Sequence, residues 1–183
     1  MKKNVIFCLL MLSLSFISCS SDDDSTKEEP VVEETIFYYQ DIELGQTTDS
    51  EIGAFFSTST GEVFNSKEAP SHASVIELAY VGSQSTFIYF TSPDDSSATD
   101  VEIPNARSTK VMNYKTEVTG KMFDDINEAD DFKNIKAVND NESIGTLEFP
   151  VVVLFETQNG KKGAIKLKKI NASRLLVDIK VMK

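Results

Sequence analysis

Few side chains in this 183-residue chain have the chemistry that catalysis usually needs: one His, two Cys and no Trp stand among 29 acidic residues. His72, in Pro70-Ser71-His72-Ala73-Ser74, sits in a turn-like stretch. A nucleophilic triad needs a His oriented by a carboxylate beside a nucleophile, and no spacing here supplies either partner. No G-x-S-x-G elbow, H-E-x-x-H pair or phosphate-cradling Gly loop occurs. Glycoside hydrolysis needs only two carboxylates, but 29 acids make chance pairs inevitable, so their abundance carries no weight. Asp125-Ile126-Asn127-Glu128-Ala129-Asp130 imitates the start of a calcium loop. It lacks an oxygen ligand at the fifth position and Gly at the sixth. The expectation is therefore no catalytic residue, no metal and no cofactor.

Aromatic rings offer binding chemistry instead. Tyr38, Tyr39, Tyr80 and Tyr89 fall in strand-like runs, where most rings pack into a core. Sugar sites pair a flat ring with polar groups for the hydroxyls, and alternation leaves Tyr39 and Tyr89 as candidate ligand contacts.

The two cysteines belong to the first nineteen residues. Met1-Lys2-Lys3-Asn4 is basic, and Val5 to Phe16 is an apolar stretch too short for a bilayer core that needs about 20 residues. It fits the apolar region of a signal peptide. Its end, Phe16-Ile17-Ser18-Cys19, resembles the lipobox of bacterial lipoproteins. That resemblance implies a signal peptide over 1–18, cleavage before Cys19, and a diacylglycerol thioether (with further acyl chains such as palmitate) on the Cys19 thiol. Each buried methylene contributes about 0.8 kcal/mol, so two or three chains anchor a protein stably. Cys8 leaves with the signal, so the mature chain would have no free thiol and no internal disulfide.

Residues 19–35 read as the lipidated Cys followed by a flexible tether, SSDDDSTKEEPVVEET, polar, acidic and interrupted by Pro30. Such a composition cannot bury enough surface to offset ordering entropy. Ser21-Asp22-Asp23-Asp24 resembles the acidic export signal of Bacteroidota surface lipoproteins, which implies the outer leaflet of the outer membrane. The formal net charge of −11 excludes a nucleic-acid partner, since phosphate backbones are bound by clustered Lys and Arg.

Residues 36–183 read as one globular domain. Phe37 to Leu44 is strand-like and stops at Gly45. Gly53-Ala54-Phe55-Phe56 and Glu62-Val63-Phe64 suggest a hairpin with Gly61 at the turn. Val75 to Val81 and Thr86 to Phe90 are further strands about a Gly82–Ser85 turn, and Ser92 to Ser97 is a loop. A helical turn is expected around Ala106 to Val111. Phe123, Ile126, Ala129, Phe132 and Ile135 recur every third residue among acids, which predicts one amphipathic helix. Gly145 to Thr157 reads as a buried strand. Asn159-Gly160 favours a hairpin turn, and Ala164 to Ile170 and Leu175 to Val181 complete a three-stranded meander. The fold class is β-rich, mainly an antiparallel sandwich or an α+β sheet, with one amphipathic helix and this C-terminal meander. Residues 161–183 hold eight basic residues and one acid. Their basic strand face either meets an anionic partner such as lipopolysaccharide or an acidic glycan, or pairs with the acidic helix; the second is favoured.

Gly53 to Ser57, Thr60 to Phe64, Val75 to Tyr80, Ser92 to Asp95, Asn105 to Lys110, Val153 to Thr157, Gly160 to Lys166 and Val177 to Val181 together resemble an uncharacterised group of Bacteroidota lipoproteins. The resemblance implies location and fold type and carries no functional residue. The expected function is that of a lipid-anchored outer-membrane protein, exposed at the cell surface, that binds a glycan, a host or matrix protein, or an envelope protein without chemistry. A periplasm-facing structural or assembly subunit is the alternative, and a glycan-degrading enzyme ranks third.

Overall fold

Val151 to Phe155 is apolar without alternation, as a strand must be when both its faces are covered. The computed structural model describes residues 35–84, 87–113, 118–140, 144, 148–171 and 174–183, and in it this segment lies inside a three-layer arrangement. Strands β1 (Ile36–Leu44), β2 (Phe55–Phe56), β3 (Val63–Phe64), β4 (Leu78–Gln84), β5 (Phe87–Thr91), β6 (Thr109–Met112), β7 (Val151–Thr157), β8 (Lys162–Asn171) and β9 (Arg174–Met182) form two sheets. The larger runs β1-β9-β8-β7-β6 and the smaller β3-β2-β4-β5, with every pairing antiparallel.

The register sorts each strand's residues between two cores. Val153 opposes Ile165, which opposes Ile179. These side chains pack with Phe155, Leu167 and Val177 against Phe56, Leu78, Tyr80, Ile88 and Phe90 of the smaller sheet, as in a face-to-face sandwich. The alternate residues Val152, Leu154 and Ala164 point the other way and pack on Phe123, Ile126, Phe132 and Ala137. The meander is present as expected, turning at Gly160 with φ 78°. The hairpin at Gly61 also forms, with Phe55 opposite Phe64. Gly61 has φ 76°, and a Cβ there would lie 2.5 Å from the Tyr39 ring, so only glycine suits the turn.

The expected single helix over 123–135 is two pieces: α2 (Gly120–Asp125), after a one-turn α1 (Ser96–Thr99), and then a 3-10 turn over Ala129–Phe132. A strict three-residue apolar repeat drifts on a helix of 3.6 residues per turn, so one straight helix cannot keep all five residues inward. The break at Ile126 and an extended Glu128 (φ −142°, ψ 164°) return Phe132 to the core. Asp131 secures the second piece, its Oδ2 accepting from the N–H groups of Asn127 (2.8 Å) and Glu128 (3.1 Å). Three other local readings change. Thr109–Met112 is an edge strand paired with β7 rather than a helical turn, because Thr109 and Val111 alternate inward. Gly82–Gln84 continues β4, and β7 begins only after the cis Phe149-Pro150 bond.

The two sheets join at a seam between β5 and β6. The Asn113 carboxamide accepts from Phe90 N (2.7 Å) and donates to Phe90 O (2.8 Å), taking the place of a strand residue beside β5. Asn139 Oδ1 accepts from Val111 N (2.8 Å), and Asp140 Oδ1 accepts from Asn113 N (2.9 Å).

Candidate functional site

Among the described residues, two hollows bear on binding. The larger, about 650 Å³, lies where the helical layer crosses the outer face of β6 and β7. Its floor is Met112, Val118, Ile126, Ile135 and Leu154, and Asp125, Asp131, Asn134 and Lys136 stand around it. Met122 at its lip is 50% exposed. An apolar floor with a few polar groups is the usual make-up of a ligand site of this size. Among the described residues Lys136 forms no ion pair, whereas Asp125 pairs with Lys121 at 2.7 Å.

The basic strands hold this lip in place. Lys180 is 4% exposed, and its Nζ donates to the carbonyls of Phe123 (3.0 Å), Asp124 (3.1 Å) and Ile126 (2.6 Å). The carbonyls at a helix C-terminus have no intrahelical partner, and Lys180 supplies one while lying over the Tyr38 and Phe123 rings. Burial lowers its pKa, against the raising influence of Asp124. Lys166 pairs with Asp124 at 2.7 Å, and Lys162 donates to the carbonyls of Phe132 and Lys133. Lys168 joins Asp41 (2.6 Å) and Asp178 (3.0 Å). Lys162, Lys166, Lys168 and Lys180 are thus matched within the fold to the helical layer and to the β1 bulge at Asp41.

The smaller hollow, about 140 Å³, is polar and sits at the β5–β6 seam, with Tyr89, Asp94, Thr109 and Asn139 among its walls. Of the two candidate contact tyrosines, Tyr89 is half-buried at this hollow. Tyr39 lies elsewhere, half-buried. Its ring meets Phe56 edge-on at 5.5 Å and its hydroxyl donates to Thr58 O at 2.9 Å. Burial, then the charge of Glu77, raises its pKa. Glu77 is itself buried, accepting from the Thr58 hydroxyl and pairing with Arg107 at 3.0 Å. Tyr39 and Tyr89 therefore serve different places and form no joint platform. Tyr80 is core, and burial pushes its phenol up to about 12.

His72 is exposed; its Nδ1 lies 3.1 Å from Ser71 Oγ and 3.0 Å from Glu68 O, and its ring stacks on Phe64 at 4.3 Å. Among the described residues no group of three or more His, Cys, Asp or Glu is placed to hold a metal. No helix among them is long and apolar enough to cross a membrane. Cys19 and the tether as far as residue 34 lie outside the described residues. The sequence gives no mark of Met112, Met122, Asn134 or Lys136, because the broken helix that gathers them has no clean period.

The fold defines a β-sandwich with a helical layer on its larger sheet. No protein-family model matches the chain, and no curated protein does. Among solved structures it is similar to a DUF4466 family protein from Parabacteroides merdae. The TM-score is 0.57 and the identity 18%, over 81% of this chain and 54% of that one. The likeness is one of fold, and this chain spans about half of that protein's length. That neighbour comes from the Bacteroidota, in keeping with the resemblance to an uncharacterised family of that phylum.

Proposed function

We propose that the chain is a lipid-anchored protein of the outer membrane, exposed at the cell surface, that binds a ligand and does no chemistry on it. The observation that carries the binding role is the 650 Å³ cleft, with an apolar floor for the body of a ligand and Asn134 and Lys136 to orient it. The Phe16-Ile17-Ser18-Cys19 ending and the acidic run after it support the anchor and its direction. Lys180, through α2, keeps the lip formed before a ligand arrives, which lowers the ordering cost of binding.

Protease shaving of intact cells tests the location. Rapid loss of the protein while a periplasmic control survives is the expected result, and Cys19→Ala should leave the membrane fraction. Protection until the outer membrane is breached would favour the periplasm-facing assembly subunit instead. Binding is tested on glycan arrays and on arrays of host, matrix and envelope proteins. A hit should be lost in Met122→Glu, which places a charge on an exposed lip position without touching the core. No hit across both arrays would sink the binding role.

A further inference from the structure

The walls of the cleft over β6 and β7 select among partners. Its accessible apolar surface is aliphatic and thioether: Met112 and Ile135 are half-buried and Met122 is 50% exposed, above Val118, Ile126 and Leu154. Unbranched, polarizable methionine side chains adapt to the shape of an apolar partner. Such a surface desolvates an aliphatic side chain well and would leave sugar hydroxyls without hydrogen bonds. Among the described residues that line it none carries a ring, the platform on which a pyranose packs.

The aspartates of the helical layer are already answered. Asp124 pairs with Lys166, Asp125 with Lys121 and Asp130 with Lys133, each at 2.7 Å. Asp131 accepts from two backbone N–H groups. Lys136, at the cleft, has neither an ion pair nor a hydrogen bond among the described residues, and the same holds for the Asn134 carboxamide. An uncommitted ammonium attracts a carboxylate. A carboxamide offers both the donor and the acceptor that a backbone amide matches.

We propose that the cleft docks a short segment of a protein partner in which an aliphatic residue adjoins an acidic one. The aliphatic side chain lies on Met112, Met122 and Ile135, the acid meets Lys136, and Asn134 pairs with the backbone amide between them. The assignment rests on the cleft being where the protein binds, and it selects protein over glycan as the class of partner. An apolar anchor in a pocket carries most of the affinity, and the exposed charge pair adds little beyond orientation.

The test titrates protein labelled with ¹³C at its methionine methyls. The probes are acetylated, amidated peptides Gly-X-Glu-X-Gly, with X as Leu, Ile or Met. At least one should shift the Met112 and Met122 methyls saturably, and Met122→Glu should abolish its binding. Replacing X by Ser should weaken binding about tenfold or more, the worth of burying one such side chain. Replacing the peptide Glu by Gln should weaken it about threefold in the parent and leave it unchanged in Lys136→Gln, an exposed position. The proposal is overturned if no peptide shifts both methyls or if the Ser peptides bind as tightly. It is overturned equally if the Glu-to-Gln change costs as much in Lys136→Gln as in the parent. A glycan-array hit lost in Met122→Glu, with no peptide shift, overturns it while the cleft remains the binding site. No array hit and no peptide shift removes both.

Discussion

Both carboxylate oxygens of Asp95 are occupied where the chain leaves β5. Oδ1 accepts from Ser97 Oγ (2.6 Å) and Ala98 N (3.2 Å), and Oδ2 from Thr91 Oγ1 (3.3 Å). Asp is a preferred helix N-cap because its oxygen takes one of the four N–H groups without an intrahelical partner. These bonds, the Ser97 hydroxyl first, hold the Asp95 carboxyl below its ordinary value of 3.8. A carboxyl lowered in the folded state stabilises the fold fully above the unfolded value, and the contribution is lost as pH falls through the folded value. Asp95→Ala should therefore cost about 1 kcal/mol at neutral pH. The difference from the parent should shrink in acid, below 3.8, where the parent carboxyl is protonated as well. Denaturant melts of both proteins across that range measure it, and a difference independent of pH would assign the loss to packing alone. The same Asp95 lies within the stretch Ser92 to Ser97 that reads as a loop, and a one-turn helix is too short to show any period.

At the scale of elements, Lys180 is the link between the meander and the helical layer. Its ammonium serves three carbonyls at the end of α2, and hydrogen bonds to a charged group contribute about 1.5–3 kcal/mol. Lys180→Met keeps the stem over the Tyr38 ring and removes the donors. It should cost about 2 kcal/mol and speed amide exchange at Phe123 and Ile126. The parent should also gain stability relative to this variant as pH rises towards 10.5. Burial lowers the folded Lys180 value, so the unfolded chain binds more protons in that window. The meander itself was legible, because Val151 to Phe155, Asn159-Gly160 and the alternation of Ala164 to Ile170 state burial and turn in local terms. The helical layer was not. Phe123, Ile126 and Phe132 mark a buried face, but where the chain breaks is set by Asp131 and by carbonyls that Lys180 captures from more than fifty positions away. Thr109-Lys110-Val111-Met112 is too short to declare itself, and becomes a strand only because β7 offers an edge. Of the candidate site residues, Tyr89 was visible as a strand aromatic. Asn139 was not, since a side chain standing in for backbone leaves no trace in sequence.

For the whole molecule, the decisive feature is how two sheets of five and four strands are held as one sandwich. Face-to-face packing supplies most of the adhesion, because Phe155, Ile165 and Ile179 are sealed beneath Phe56, Tyr80 and Phe90. Apolar packing does not fix register, however, and the seam does. Asn113 is 1% exposed and occupies both the N–H and the carbonyl of Phe90. Asp140 Oδ1 holds it from behind, 2.9 Å from Asn113 N and 3.4 Å from Asn113 Nδ2. Asn113→Ala should leave both Phe90 groups without partners and cost about 2–6 kcal/mol, since each buried unsatisfied group costs about 1–3. Asn113→Asp is the sharper probe. It keeps an acceptor for Phe90 N, sets a carboxylate against Phe90 O, and adds a second charge beside Asp140. At neutral pH it should be less stable than Asn113→Ala, because like charges brought together in a buried site repel strongly. In acid the new carboxyl takes up a proton, becomes a donor to Phe90 O, and should recover much of the loss. Chemical denaturation of both variants at pH 7 and in mild acid reads the crossover. If Asn113→Asp tracks Asn113→Ala at both pH values, the seam is held by packing and the amide pairing is incidental. If it crosses, one side chain fixes how the two sheets meet, and with them the hollow between Tyr89 and Thr109.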